Sequence, residues 1–291
     1  MKAGRKIAIL LHERDGYPEV KVHFIWALGD LWRAAGIEVE VLKGPENAGA
    51  ADLLIPHIDL TVLPEAYTNI FNRYPRVANR DVRDISKRII SRNLVGAKEA
   101  YDGAVIVKTN LNFGGMPEAQ LAGRLPAEKR KRAWWGRACG GEKFLDPDWA
   151  KLECLNPADY QIFPSLRQVP KAIFINPSLV VERFLPEFEN ELYHLRIYQF
   201  LGSRGYCVRL GSREPIVKAQ SVVTREEIAV PEEIVALRAE LGLDYGKMDF
   251  VVRDGRVILF DVNRTPGLIL PSERMQASAA KLAPGLEAFL S

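Results

Sequence analysis

The chain has 291 residues, of which 47% are hydrophobic and 26% charged, with a formal net charge of +3. That composition is ordinary for a soluble globular protein with room for one large domain or a few small ones. The longest apolar runs, such as Ile7 to Leu11 and Val257 to Phe260, fall far short of the roughly 20 residues that cross a bilayer, and the first is too short for a signal-peptide core. Cys139, Cys154 and Cys207 show no C-x-x-C spacing, which argues against a zinc knuckle and a disulfide framework. A cytoplasmic location is expected, with no membrane partner. The mild charge does not call for nucleic acid, although it suits a polyphosphate ligand.

The first 80 residues read as alternating strands and helices. Lys6 to Leu11 predicts a strand. His23 to Ala35 carries Phe24, Leu28, Leu31 and Trp32 at helical spacing, and Gly36 stops the helix. Ile37 to Leu42 and Asp52 to Ile58 predict two more strands, and Pro64 to Phe71 a second helix. Such alternation argues a small parallel sheet, and ligands gather beyond the carboxyl ends of parallel strands. Those ends carry His12, Glu13, Arg14 and Asp15 after the first strand, and His57 and Asp59 after the third. Each is a candidate substrate contact, and each also reads as a surface-loop residue. Asp81 then caps a helix with Ile85, Ile89 and Ile90 as its apolar positions. Lys87 and Arg88 lie beside that stripe, on a face that Arg83 and Arg92 make basic.

An apolar strand from Ala104 leads to Lys108, and Gly114-Gly115 follows. Glycines let backbone N–H groups approach phosphate oxygens closely, and a strand-fixed lysine adds a point charge. No P-loop pattern occurs. Residues 127–137 mix a basic run with Trp134 and Trp135. Such a mixture can bind nucleic acid, but the rest of the chain has no basic stripe, so a charged helix or insertion is the expected reading. Ser178 to Pro186 reads as a core strand with a charged end. Tyr193 to Gly202 alternates like a strand, with Tyr206 to Leu210 as its hairpin partner and Arg196 on its polar side.

Residues 243–267 are the most specific stretch. Two strands are joined at Asp254-Gly255, a dipeptide suited to a type I′ turn. Asp261 and Asn263 are two apart and leave the same face, and the hairpin returns Asp249 to it. Two carboxylates and an amide oxygen suit Mg²⁺, which prefers hard oxygen ligands. The plainer reading is a solvent-facing hairpin with ordinary acids. The apolar runs Phe250 to Val252 and Val257 to Phe260 favour strands covered on both faces instead.

An Asp-bearing strand, a hairpin, acid-x-Asn and a Pro-Gly turn resemble the metal-binding signature of the ATP-grasp superfamily. Lys108 and Gly114-Gly115 stand upstream in the order of that superfamily's lid. The usual second acid is Glu, and here it is Asp261. The resemblance covers about residues 79 to 267 and implies an α/β (α+β) chain. Its parts would be a pre-ATP-grasp parallel-sheet domain at 1–80, a linker helix and lid at 81–184, and a C-terminal antiparallel-sheet subdomain at 185–291. It implies that Lys87 and Lys108 contact ATP phosphates while Gly114 and Gly115 fold over them. Glu182, Arg183, Phe184 and Leu185 would line the adenine, and Glu187 or Glu189 would take the ribose. Arg196 or Arg264 would face the transferred phosphate. The cofactors implied are ATP and Mg²⁺, with Mn²⁺ as a substitute. The activity implied is a ligase joining a small-molecule carboxylate to an amine through an acyl phosphate. Its rivals are a kinase, with His12, Asp15, His57 or Asp59 as base, and a nucleotide-binding protein without turnover. Many members dimerise, so a homodimer fits the resemblance.

Overall fold

The computed structural model describes residues 4–16, 23–124, 148–267 and 272–290. The basic and tryptophan-containing segment at 127–137 lies outside them. A first unit holds three parallel strands, β1 (Lys6–Leu11), β2 (Glu38–Lys43) and β3 (Leu53–Pro56), in the order β2-β1-β3. The central β1 is a continuous apolar run, and its residues 7–11 are all buried, as expected of a parallel strand covered on both faces. Helix α1 (Ile25–Ala34) covers one face and ends at Gly36, whose φ of 80° suits glycine. The short helix α2 (Glu65–Thr68) and the segment to Val77 cover the other face.

The helix expected from Asp81 shrinks to a single turn, α3 (Lys87–Ile90). Its upstream backbone is extended and bonded elsewhere: Leu63 N donates to Arg83 O at 2.9 Å and Ile85 N to Thr61 O at 3.1 Å. Ile89, read from sequence as part of an apolar stripe, is 64% exposed.

A second sheet, antiparallel, follows in the order β5-β4-β6, from β4 (Val105–Thr109), β5 (Gln161–Phe163) and β6 (Leu179–Arg183). Helix α4 (Met116–Leu121) lies after β4, and α5 (Lys171–Ile175) before β6. The third sheet is antiparallel, with β7 (Glu187–Glu189) on its side and the path β10-β9-β8-β11-β12. Its members are β8 (Leu192–Leu201), β9 (Arg204–Ser212), β10 (Val222–Ile228), β11 (Tyr245–Arg253) and β12 (Arg256–Asn263). Tyr198, Phe200, Met248 and Phe250 pack on one face against Ile234 and Leu237 of α6 (Glu232–Glu240). From the other face Leu201, Val208, Leu210 and Tyr245 join the first sheet, α1, α7 (Ser272–Leu282) and α8 (Glu287–Leu290) in one core. No helix among the described residues is long and apolar enough to cross a membrane.

A buried asparagine fixes how the first unit meets the third sheet. Asn79 has a left-handed φ of 55°. Its Oδ1 accepts from Asp244 N at 2.7 Å and Tyr245 N at 3.0 Å, and its Nδ2 donates to Tyr245 O at 2.7 Å. Asn79→Ala removes these partners from buried backbone groups and places a Cβ residue without side-chain compensation in the left-handed region. Together these cost about 3–5 kcal/mol. Urea unfolding is expected to show that loss, with Asn79→Gly recovering only the part due to backbone conformation.

Candidate active site

The hairpin forms as its sequence predicts. Asp254 and Gly255 have φ of 51° and 74°, the positive values a type I′ turn requires. Asp249 pairs directly with Asp261 and Lys247 with Asn263, so all four side chains leave one face. The register shifts between Asp249 and Phe250, because Phe250 pairs with Leu259 and Phe260 is the extra residue of a bulge.

Each of the three oxygen-bearing side chains has a neighbour. Lys247 Nζ donates to Asp249 Oδ1 at 2.9 Å and Oδ2 at 2.8 Å. Lys87 Nζ lies 3.4 Å from Asp261 Oδ1, which also accepts from Val262 N at 3.1 Å. Asn263 Oδ1 accepts from Thr265 N at 2.7 Å, and Thr265 Oγ1 donates to Asp59 Oδ1 at 2.6 Å. Among the described residues no three His, Cys, Asp or Glu side chains gather as a metal group. The set here is two carboxylates and an amide oxygen on one face, a hard-oxygen donor set that fits Mg²⁺.

Four lysines lie around this face, from α3, β4, β11 and the segment before β10. Lys87 is buried in α3. Burial acts to lower its pKa, but Asp261, Tyr160 and Glu182 prevail and hold it above the ordinary lysine value. Lys108, on β4, pairs with the buried Glu182 of β6 at 2.6 Å, and its Nζ lies 5.0 Å from the centre of the Phe260 ring. On Lys247 burial again acts downward, and Asp249 and Asp261 together hold its pKa above the ordinary lysine value. Lys218 precedes β10, with its Nζ 5.7 Å from the centre of the Tyr160 ring. Burial, reinforced by Lys108, pushes its pKa down to about 8 against the opposing pull of Asp249 and Asp261.

Sequence reading missed two of these lysines. Lys247 was accessible to it, since a residue two before Asp249 must share its face. Lys218 sits in an irregular segment with no periodicity to place it.

Gly114 and Gly115 have φ of 73° and 71° and form a tight turn (Asn112–Gly115) ahead of α4. A Cβ on Gly114 would overlap the Leu155 carbonyl oxygen, and Leu155 N donates back to Gly114 O at 3.0 Å. The first glycine is therefore required by close packing within the second unit.

The residues predicted to line the adenine lie at and just past the end of β6. Arg183 N donates to Asn93 O at 2.8 Å and Phe184 N to Ala104 O at 2.8 Å, while Phe184 and Leu185 are half-buried just past β6. Arg196 was expected at the transferred phosphate. It lies opposite Phe250, hence on the sheet face away from Asp249, where Glu187 Oε2 and Oε1 accept from its Nε and Nη2 at 2.9 Å each. Glu187 also accepts from Arg209 Nε at 2.8 Å and Val252 N at 2.9 Å. Burial would raise the Glu187 pKa, but these donors keep it below the ordinary glutamate value. Glu189, expected at the ribose, shares that far face, pairs with Arg209 and is exposed.

Arg264, predicted to face the transferred phosphate, is instead bonded to backbone carbonyls. Only 2% exposed, it donates to Val82 O at 2.6 Å, Leu60 O at 2.8 Å and Thr61 O at 2.9 Å. Burial lowers its pKa to about 10 despite Asp84, Asp59 and Glu118, so at neutral pH it remains a charged staple between units.

Of the strand-end candidates, Asp59 meets Thr265, and Glu13 accepts from the Tyr67 hydroxyl. Arg14 Nη1 donates to Leu121 O at 2.9 Å. His57 is buried, and burial, with His23 beside it, keeps its pKa well below the ordinary histidine value.

No family model matches the sequence, and no curated protein is similar to it in sequence. Solved structures are similar in fold. The ATP-grasp ligase PsnB, complexed with a minimal precursor, Mg and ADP, aligns with a TM-score of 0.55 at 13% identity, over 98% of this chain and 97% of that one. PsnB with precursor peptide PsnA2 and AMPPNP aligns at 0.52 and 12% identity, over 99% of each chain. D-alanine–D-alanine ligase from Bacillus anthracis, complexed with ATP, aligns at 0.51 and 14% identity, over 98% of this chain and 96% of that one. Three sheets in this order, a lysine strand followed by a glycine turn, and a carboxylate hairpin at the end of the path together give this chain the ATP-grasp fold.

Proposed function

We propose that this protein is an ATP- and Mg²⁺-dependent ligase that joins a carboxylate to an amine, with ADP and phosphate released. The observation that carries this reading is the convergence of Lys87, Lys108, Lys218 and Lys247 on a face that also presents Asp249, Asp261 and Asn263. Phosphoryl transfer depends on positioning and on stabilising charge spread over phosphate oxygens. Bound Mg²⁺ would supply Lewis-acid stabilisation of those oxygens, and Asp249, Asp261 and Asn263 would hold it.

In this reading Lys87 and Lys108 hold the phosphates from the linker and the second sheet. Lys247 and Lys218 face the group that moves. The γ-phosphoryl group passes to a carboxylate oxygen, giving an acyl phosphate and ADP. The amine attacks the carbonyl carbon, the bond to phosphate breaks, and an amide remains. Contacts of Arg14 with Leu121 and of Thr61 with Glu118 hold α4 against the first unit, an arrangement suited to excluding water from a reactive intermediate. The carboxyl ends of β1 and β3 are then where the acceptors bind, near Glu13, Arg14 and Asp59.

Incubation with Mg·ATP, hydroxylamine and pools of carboxylates is expected to yield hydroxamate together with ADP. Asp249→Asn and Asp261→Asn are each expected to lower that yield by at least about a hundredfold. Hydroxamate accompanied by AMP would instead mean adenylation, and ADP formed only with polyols would mean a kinase.

Lys218 gives a second test. A polyphosphate beside it raises its pKa from about 8, so binding at pH 8.5 takes up a proton and affinity falls as pH rises past that value. Calorimetric ADP binding at pH 8.5 is expected to depend on the ionisation enthalpy of the buffer in the parent and not in Lys218→Met. Equal buffer dependence in both would remove Lys218 from the phosphate site.

A further inference from the structure

We propose that Thr61 is the positioning residue that fixes the glycine turn relative to the carboxylate hairpin, a role that rests on the ligase reading above. Thr61 lies past the carboxyl end of β3 and is fully buried. Each of its polar atoms is used, and the partners belong to different parts of the fold. Its N–H donates to Glu118 Oε1 at 2.8 Å, and its hydroxyl donates to the same oxygen at 2.6 Å. The hydroxyl oxygen accepts from Asn112 N at 2.7 Å. Its carbonyl accepts from Arg264 Nη2 at 2.9 Å and from Ile85 N at 3.1 Å.

Asn112 opens the glycine turn, and Glu118 stands in the helix that leaves it. One residue of the first unit therefore hooks both ends of the turn. Arg264 directly follows Asn263, so the same residue also grips the end of the hairpin.

The turn needs such an anchor. Phe113, Gly114 and Gly115 have φ of 43°, 73° and 71° in succession, and a non-glycine residue in that region persists only where its surroundings over-determine it. Phe113 is 52% exposed, so burial of its own ring does not hold it. The Thr61 hydroxyl is the only side-chain group of Thr61 that can both receive the Asn112 amide and donate to Glu118. Residue 61 also lies two positions from Asp59, which is bonded to Thr265 beyond the metal face. The segment 59–61 thus joins the proposed acceptor side of the cleft to both halves of the nucleotide site.

The test compares Thr61→Val, which keeps the shape and removes the hydroxyl, with Thr61→Ser, which keeps the hydroxyl. Glu118→Ala removes the partner and leaves Thr61 in place, so the question stays open to test if the valine variant fails to fold. Amide hydrogen exchange and Mg·ADP affinity are measured for each. Thr61→Val and Glu118→Ala are expected to exchange the amides of 112–116 faster while 247–252 stay at the parent rate. Both are expected to bind Mg·ADP about five- to tenfold more weakly, and Thr61→Ser is expected to match the parent. Turn exchange as slow as in the parent, with Mg·ADP binding intact, overturns this role alone. A parent chain that does not bind Mg·ADP overturns the ligase reading and the role with it.

Discussion

Asp249 and Asp261 face each other directly across an antiparallel register. Like charges in that relation destabilise a sheet, and partial burial increases the cost. Compensation comes from Lys247 on the same strand face and from Lys87 on the linker turn. Asp261, with Tyr160 and Glu182, offsets the desolvation of the deeply buried Lys87. Asp261 therefore draws on a lysine from outside its own sheet, while Asp249 is matched from its own strand. The linker turn and the third sheet thus meet through a charge pair, beside the Lys108–Glu182 pair of the second sheet.

Neutral and singly charged staples fix the outer parts of the same junction. Asn79 ties the first unit to the start of β11, four residues or fewer from Lys247 and Asp249 along the strand. Arg264 ties the end of β12 to the segments around Thr61 and Val82. The hairpin is thus pinned at entry and exit to the first unit, while its middle carries the Asp249–Asp261 face. Sites built on rigid elements with fixed supports hold their geometry more closely than loop sites do.

Local pattern made much of this legible. Alternation and the Asp254-Gly255 dipeptide give the hairpin, and the strand–helix order gives the first sheet. The lysine and glycine of the second unit follow from residue types. The misplacements share one cause: each depends on pairing between distant segments. Arg196 has the polar-side position its alternation predicts, but only the β8–β11 register shows that this face is opposite to Asp249. Arg264 looks like a free cation beside Asn263 until carbonyls at 60, 61 and 82 claim it. The helix expected from Asp81 gives way because Thr61 and Leu63 bond its backbone instead. Lys218 reaches the site from an irregular segment, and no period predicts such a position.

The bulge at Phe260 sets the reach of Asp261, the position at which the resemblance has a longer acid. In an unbroken strand, Phe260 and Asp261 would point to opposite faces. The extra residue lets Leu259 keep its place opposite Phe250 in the core beneath α6, and lets Phe260 and Asp261 both serve the open face. The Phe260 ring lies beneath Lys108, while Asp261 meets Lys87. Bulges locally bend and twist a strand and re-aim side chains, so a backbone change can supply some of the reach that a missing methylene takes away. Removing the extra residue would then do more than shorten a strand. It would return either Phe260 or Asp261 to the core face and break one of the two lysine contacts that join the units.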